Sequence, residues 1–348
     1  KKVIIIGSGV GGLATALRLK AQGLNVVVFE NNSYPGGKLS SFNLGQYRFD
    51  AGPSLLTMPH YIDELFELFN ENPKDYFKYK KKDISCKYFW EDKTVLNAYS
   101  DKTKFINEIN KVLKVDKNIV TKYLLKAKKK YDLTKSIFLE QSLHKIKTYL
   151  SSDLLKGIFN LYIFQINKTL DTVNQDELKE PHLVQLFNRF ATYNGSSPFK
   201  TPGMMTLIQH LEQEYGTFVS EKGMINISNS IYDLAKRNGV KFEFNKLVNE
   251  IVVKNNKAVG VKVNNTMIES DFVISNMDIV PTYKKLLKKS YQPKKILNQE
   301  RSSSALIFYW GIKKTFKNLE LHNILFSNNY KKEFDSIFEF GTISDDPT

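Results

Sequence analysis

The residues best placed to do chemistry form one short run, Gly7-Ser8-Gly9-Val10-Gly11-Gly12. The spacing Gly7-x-Gly9-x-x-Gly12 predicts a loop that cradles phosphate. The first glycine permits a tight turn, the second admits a pyrophosphate to the backbone, and the third packs a helix on a strand. The amides at that helix's N-terminus then face the anion. Glu30 lies 18 residues beyond Gly12. A carboxylate there accepts from a ribose hydroxyl and repels a 2′-phosphate. The combination predicts a bound dinucleotide. Pro35-Gly36-Gly37-Lys38 follows soon after. A turn at this place brings backbone to the flavin side of a dinucleotide, which favours FAD over a nicotinamide. Taken alone it also fits an ordinary surface turn, as does the Gly-Pro within Asp50-Ala51-Gly52-Pro53-Ser54.

Elsewhere the reactive side chains are scattered. His60, His144, His182, His210 and His322 show no ligand spacing, so no metal is expected. No nucleophile triad or carboxylate pair stands out.

The elements that must position the glycine loop are legible in the apolar pattern. Lys2 to Ile6 reads as a buried parallel strand. Leu13, Ala14, Ala16, Leu17 and Leu19 form a helical stripe that Gly23 terminates. Leu24 to Phe29 is a second strand ending at Glu30, which completes a βαβ unit. Residues 31–59 are rich in turn formers and read as a long irregular stretch of functional character. Ile62, Leu65, Phe66 and Phe69 predict a helix, and short strands follow around 86–90 and 94–99. Residues 101–150 read as lysine-rich helix, and Leu154 to Phe164 is the most apolar stretch of this part. Asn226 to Arg237 predicts a helix closed by Asn238-Gly239, and Val240 to Phe244 a strand. A meander of hairpins then turns at Asn255-Asn256 and Asn264-Asn265. Asp271 to Ser275 is a last strand.

Length and composition bound the rest. The 348 residues suit two domains, and 42% hydrophobic content supports a real core. One cysteine, Cys86, excludes an internal disulfide and fits a reducing compartment. No apolar run reaches transmembrane length, and the opening apolar stretch is too short for a signal peptide. The net charge of +15 invites an anionic partner. Only five of the 51 basic residues are arginines, the residue that reads bases bidentately, so nucleic acid is not expected. A membrane surface and a lysine-rich compositional bias remain as explanations.

Three blocks carry a resemblance. GSGVGGLATALRLKAQGLNVVVFENNSYPGGKLSSF followed by FDAGPSLLTMP resembles the amino-terminal part of the carotenoid desaturases, the bacterial phytoene-desaturase family of flavoproteins. That family sits in the larger group holding the amine oxidases and protoporphyrinogen oxidase. Arg189-Phe190-Ala191-Thr192-Tyr193-Asn194-Gly195-Ser196-Ser197-Pro198 with Gly223-Met224 is closer to its hydroxycarotenoid 3,4-desaturase and methoxyneurosporene desaturase branch than to phytoene desaturase. Ser275-Asn276-Met277-Asp278 is the third block.

The resemblance implies an α/β fold: an FAD-binding Rossmann-like domain of the glutathione-reductase type with an inserted helical/β substrate cap. The expected division is 1–75 and 216–285 for the FAD-binding domain, 76–215 for a substrate- and membrane-binding cap, and 286–348 for a return to the substrate domain. It implies that Gly7, Ser8, Gly9, Gly11 and Gly12 hold the pyrophosphate. Glu30, with Asn31 beside it, would take the adenosine ribose. Gly37 and Lys38 would lie along the dinucleotide, Gly52, Pro53 and Ser54 would pass near the flavin ring, and Val248 would meet the adenine through its backbone. Asn276 and Met277 would end a strand at the cofactor. Arg189 and Tyr193 are candidates to line the substrate tunnel, with a loop-pinning role for Arg189 as the alternative.

The implied reaction desaturates an acyclic carotenoid of the 1-hydroxycarotenoid type. Flavin N5 takes a hydride while a base or water takes a proton. Alternatives are phytoene desaturation, another oxidase of the amine-oxidase group, or a non-enzymatic lipid carrier on the same scaffold. A carotenoid lives in the bilayer, so a cytoplasmic protein bound peripherally to the inner membrane is expected, with other carotenoid-pathway enzymes as possible partners. The candidate basic faces are Lys78, Lys80, Lys81 and Lys82, and Lys126, Lys128, Lys129 and Lys130. The family also carries a second glycine- and proline-rich flavin motif near the carboxyl end. The sequence through Asp345-Asp346-Pro347-Thr348 has none, so the expectation is a chain that continues further.

Overall fold

The computed structural model describes all residues except 143, 144, 146–159 and 289–291. It divides into two units, 1–81 with 218–300 and 82–217 with 301–348. The divisions fall after residues 81, 217 and 300, where the sequence reading placed them after 75, 215 and 285.

The first unit is built on a parallel sheet of order β13-β1-β2-β9. Its strands are β1 (Lys2–Ile6), β2 (Asn25–Phe29), β9 (Lys241–Glu243) and β13 (Phe272–Ser275). The β-branched run of β1 is buried on both faces, and its two-residue period separates two cores. Val3 and Ile5 join α1 (Val10–Ala21) and α7 (Ile225–Arg237) in one cluster. Ile4 and Ile6 pack on the other face against Val248, Ile251 and Val261 of an antiparallel meander. That meander is β10 (Val248–Lys254), β11 (Lys257–Val263) and β12 (Thr266–Glu269). Its turns place Asn255, Asn256, Asn264 and Asn265 all at positive φ, the conformation of a tight hairpin turn that asparagine tolerates. In α7 the buried Ile227, Ile231, Leu234 and Ala235 follow the helical period and face the core. Helix α2 (His60–Glu67) buries Ile62, Leu65 and Phe66 in the same core.

Residues 31–59 are more ordered than their composition suggests. They contain a hairpin, β3 (Ser40–Leu44) with β4 (Tyr47–Ala51), in which Phe42 faces Phe49. The letters do alternate, in Phe42-Asn43-Leu44 and Tyr47-Arg48-Phe49-Asp50-Ala51 about the positive-φ Gly45, but β3 is mostly exposed and the surrounding turn formers mask the signal. The hairpin is braced from α7: Asp50 accepts from the Met224 amide at 3.0 Å and from Arg48 at 2.9 Å. A short pairing of β5 (Tyr79–Lys81) with β8 (Phe218–Ser220) completes this unit.

The second unit is mainly helical. Its sheet has the order β14-β6-β7, from β14 (Asn323–Leu325), β6 (Ile84–Phe89) and β7 (Val95–Tyr99). Around it stand α3 (Lys102–Leu113), α4 (Lys117–Lys135), α5 (Leu170–Leu178), α6 (Pro181–Asn188) and α8 (Tyr330–Phe338). Asp101 and Asp116 cap the starts of α3 and α4 through their side chains. Of the apolar stretch 154–164, only its last part lies within the described residues, where Leu161–Phe164 is a single helical turn.

One expectation is corrected here. The lysine run predicts a basic face of Lys126, Lys128, Lys129 and Lys130, but Lys130 is 2% exposed. Its Nζ donates to Gln165 Oε1 at 2.8 Å, Thr206 Oγ1 at 2.7 Å and the Gly203 carbonyl at 3.2 Å. The helical period turns residue 130 inward together with Tyr123, Leu124, Ala127 and Tyr131. Of the others, Lys126 pairs with Glu177 and Lys128 with Asp132. Four lysines within five residues cannot all face one way on a helix.

Two outcomes test this packing. A Cβ on Gly12 would lie 2.2 Å from the Gly7 carbonyl oxygen, a backbone atom that cannot step aside. Gly12→Ala is therefore expected to destabilise the fold by the overpacking cost of ~1–3 kcal/mol and so lower the melting temperature, although alanine is the better helix former. A raised melting temperature would contradict the close approach. Burial pushes the Lys130 amine down from 10.5 to about 8, with Glu177 opposing and Lys126 adding to the shift. Between those values the unfolded chain holds a proton that the folded chain has shed, so this contribution to stability rises with pH. The burial penalty is fully present below about pH 8. Urea denaturation should show wild type gaining ~2–3 kcal/mol relative to Lys130→Met between about pH 8 and 10.5.

Candidate functional site

The site begins where β1 ends. The Gly7 amide donates to the Phe29 carbonyl at 2.8 Å, which ties the loop to the neighbouring strand. Gly7 has φ +95°, a conformation open to glycine and costly for other residues. Gly9 then caps α1 in an extended conformation with no side-chain cap, and the first turn of α1 carries no acidic residue. Its free amides therefore keep their capacity for an anion.

Glu30 stands at the end of β2 and is 7% exposed. One carboxylate oxygen accepts from the Ser8 amide and the Ser8 hydroxyl, both at 2.8 Å. The other accepts from the Asn32 amide at 2.9 Å. A carboxylate offers about four lone-pair sites, so one remains for a sugar hydroxyl. Asn31, next to it, is exposed. Lys246 and Asn245 donate their amides to the carbonyls of Glu30 and Asn32, at 2.9 and 3.1 Å. That draws the entry of β10 alongside, and Val248 sits buried with Ile6 and Phe29.

The second glycine turn closes on the first. The Gly36 amide donates to the Ser8 carbonyl at 2.8 Å. A Cβ on Gly37 would come 3.4 Å from Gly9 Cα. Gly36 is sealed by Leu39 and by Ser228 of α7, whose hydroxyl donates to the Leu39 carbonyl at 3.0 Å. Gly52 packs on the Lys38 carbonyl at a distance that leaves no room for a side chain, 2.0 Å to an added Cβ. Lys38, Gly52, Pro53 and Ser54 are exposed.

From the other side of β1, the Asn276 amide donates to the Ile6 carbonyl at 2.9 Å as β13 ends. Its carboxamide lies over the glycine loop. Cβ atoms on Gly9, Gly11 and Gly12 would meet it at 2.9, 2.8 and 3.0 Å. Met277 packs on the Ile4/Ile6 core. Since β1 lies between β2 and β13, the loop sits where the sheet's connections diverge, at the carboxyl ends of the strands. Residues 7–12, 30–32, 36–38, 52, 246–248 and 276–277 thus gather around the carboxyl end of β1. This cradle, in which Gly7, Gly9, Gly11 and Gly12 present no Cβ and a buried carboxylate keeps acceptor capacity, fits the diphosphate and ribose of FAD. Among the described residues no group of three or more His, Cys, Asp or Glu could hold a metal ion.

Arg189 and Tyr193 belong to the other unit and form a network there. Arg189 is 8% exposed and pairs with Glu212, itself 2% exposed, at 2.9 and 3.1 Å. Its Nε donates to the Tyr88 hydroxyl at 2.7 Å, and its guanidinium lies 4.3 Å from the Phe190 ring centre. Burial works against the charge, but the Glu212 carboxylate overrides it and holds Arg189 protonated. Burial also raises the Tyr88 and Tyr193 phenols, and pushes the nearby Cys86 thiol up to about 11. The guanidinium ties the turn Arg189–Asn194 to Glu212. Tyr193 remains 42% exposed while its hydroxyl donates to Glu212 at 2.8 Å. Glu212 and Tyr88 carried no signal in the sequence, because a buried counter-ion has no characteristic spacing.

Glu212→Gln keeps the shape and removes the counter-charge. The expected loss is ~3–5 kcal/mol in urea denaturation, the cost of stranding a buried charge. A loss below about 1 kcal/mol would mean that Arg189 is solvated rather than buried.

Comparison with known proteins agrees with this geometry. The sequence model of the family described as flavin containing amine oxidoreductase matches residues 10–308. The chain is 52% identical over 348 residues to a 1-hydroxycarotenoid 3,4-desaturase from Flavobacterium sp. (strain P99-3), covering 100% of this chain and 71% of that protein. It is 31% identical over 355 residues to a 4,4'-diapolycopene oxygenase from Methylomonas sp, covering 100% and 70%. Among solved structures, an oxidoreductase from Methanosarcina mazei superimposes with a TM-score of 0.55 at 16% identity, over 85% of this chain and 63% of that one. Putrescine oxidase bound to putrescine gives 0.54 at 15% identity, over 84% and 60%. The chain thus spans about 70% of these curated relatives and less than two thirds of these solved chains. At such low identity the structures speak for the fold, an FAD-binding Rossmann-like α/β architecture. The family match and the 52% identity together place this chain in the flavin containing amine oxidoreductase family, in its carotenoid desaturase branch.

Proposed function

We propose that this chain forms the FAD-binding unit and part of the substrate unit of an enzyme that desaturates a 1-hydroxycarotenoid at its 3,4 position. The single observation that carries the reading is the 52% identity along the whole chain to a relative with that activity in its name. The FAD-binding role falls to the unit built from 1–81 and 218–300, and the substrate role to 82–217 and 301–348.

The side chains have defined parts in this reading. Gly7, Ser8, Gly9, Gly11 and Gly12 bind the diphosphate through backbone amides. Glu30 orients the adenosine ribose, held in place by Ser8 and Asn32. Gly37 and Lys38 run along the dinucleotide, and the Lys38 ammonium offers a cation to phosphate. Asn31 borders the ribose, and Val248 presents backbone to the adenine. Gly52, Pro53 and Ser54 pass near the flavin ring, and Asn276 and Met277 end β13 close to the cofactor. When bound, FAD supplies the two-electron oxidation that removes hydrogens from adjacent carbons. Conjugation in a polyene stabilises the developing charge, which fits the scarcity of acid–base pairs among the described residues of this chain. Tyr193 presents a half-exposed ring, immobilised by Glu212, as a surface for an apolar substrate.

The reading includes peripheral contact with the inner face of a membrane, where such substrates dissolve, and contact with other carotenoid-pathway enzymes. The net charge of +15 supports attraction to anionic lipid. No helix among the described residues is long and apolar enough to cross a membrane. Lys78, Lys81 and Lys129 are exposed and suit such a face, whereas Lys130 is not available.

Pigment analysis tests the substrate. Expression in cells that accumulate different acyclic carotenoids should add a 3,4 double bond to the 1-hydroxylated compound and leave phytoene unchanged. Hydroxylated pigment returned intact beside desaturated phytoene would move the activity to the phytoene branch. New oxygen at the chain ends would point to the chemistry named in the diapolycopene relative.

A further inference from the structure

Asn276 occupies an unusual position for a side chain. It follows the last residue of β13, its own amide is tied to Ile6, and its carboxamide reaches across to the glycine loop. The oxygen lies 2.8 Å from where a Gly11 Cβ would stand, and the nitrogen lies 2.9 and 3.0 Å from those of Gly9 and Gly12. Three glycine positions therefore meet one uncharged polar group. Among the described residues this carboxamide makes no hydrogen bond, and the residue is solvent-exposed. The adjacent α1 terminus has neither a side-chain cap nor an acidic residue in its first turn. A carboxylate at 276 would satisfy that terminus through the helix dipole. An amide leaves the terminus uncommitted and keeps an N–H donor beside it.

We propose that Asn276 is a charge-selective positioning residue for the cofactor's diphosphate. It closes the cradle from the β13 side with a neutral donor, so that the anion at the α1 terminus comes from the ligand and not from the protein. This rests on the FAD-binding reading above and deepens it: β13, joined to the chain more than 260 residues after the glycine loop, contributes to the affinity for the diphosphate.

The isosteric Asn276→Asp and the truncating Asn276→Ala together separate this role from packing. Affinity for FAD and for ADP, which shares the diphosphate, is measured by fluorescence titration on the flavin-stripped full chain. The melting temperature of each ligand-free protein is measured alongside. The expected order of affinity is wild type, then Ala, then Asp, with Ala about 3- to 10-fold and Asp at least about 10-fold weaker. The ligand-free Asp variant should melt no lower than wild type, because its charge suits the α1 N-terminus. Raised salt should shrink the Asp deficit. An Asp variant that binds like wild type while Ala binds weakly would show a spacer and overturn the proposal. So would two variants whose affinity losses simply track lowered melting temperatures. Wild type that takes up neither FAD nor ADP would instead overturn the FAD-binding reading itself, and this inference with it.

Discussion

The structure of the cofactor unit depends on one close approach. The first turn of α1 sits so near the end of β1 that residue 12 has room only for hydrogen beside the Gly7 carbonyl. This contact sets the direction of α1 and therefore of its unpaired amides. It also holds Ser8 where its amide and hydroxyl reach Glu30, and where its carbonyl receives Gly36. Two glycine turns about thirty residues apart thus become one surface. The double-sided burial of β1 supplies the rigidity, since neither face of the strand can shift without opening a core.

The other unit uses its polar residues differently. Arg189 and Glu212 form a buried ion pair, and Lys130 satisfies its three donors with neutral oxygens. The ion pair contributes little net stability relative to an apolar core, but losing one partner is costly because a charge is left stranded. Both arrangements join residues distant in sequence: Arg189 to Tyr88, and Lys130 to Gln165 and Thr206. Their effect is to hold turns such as Arg189–Asn194 in one conformation, which leaves Tyr193 with a fixed, half-exposed ring. That division of labour suits flavin chemistry, in which the cofactor carries the reaction and the protein supplies binding and shape.

Much of this was legible in the letters. The β-branched run, glycine loop and helical stripe over residues 2–21 define a βαβ unit because each signal is local and periodic. Helix 225–237 and the meander turning at paired asparagines were legible for the same reason. The hairpin at 40–51 was masked, because the glycines and prolines around it outweigh the short alternation of Phe42 and Leu44 with Tyr47, Phe49 and Ala51. Lys130 was misread because a lysine in a basic run gives no sign of burial until its helix is docked.

The sequence alone therefore carried the dinucleotide loop and its acidic partner, which rest on glycine and carboxylate at short spacings, and the resemblance of the Arg189–Pro198 block carried the branch of the family. Tertiary structure decided which distant residues complete them. Asn276 meets Gly9 because β13 pairs in parallel with β1, and Arg189 loses its freedom because Glu212 folds against it. Pairing partners and counter-ions are chosen by packing across the whole chain, and long-range packing leaves no periodic mark in the sequence.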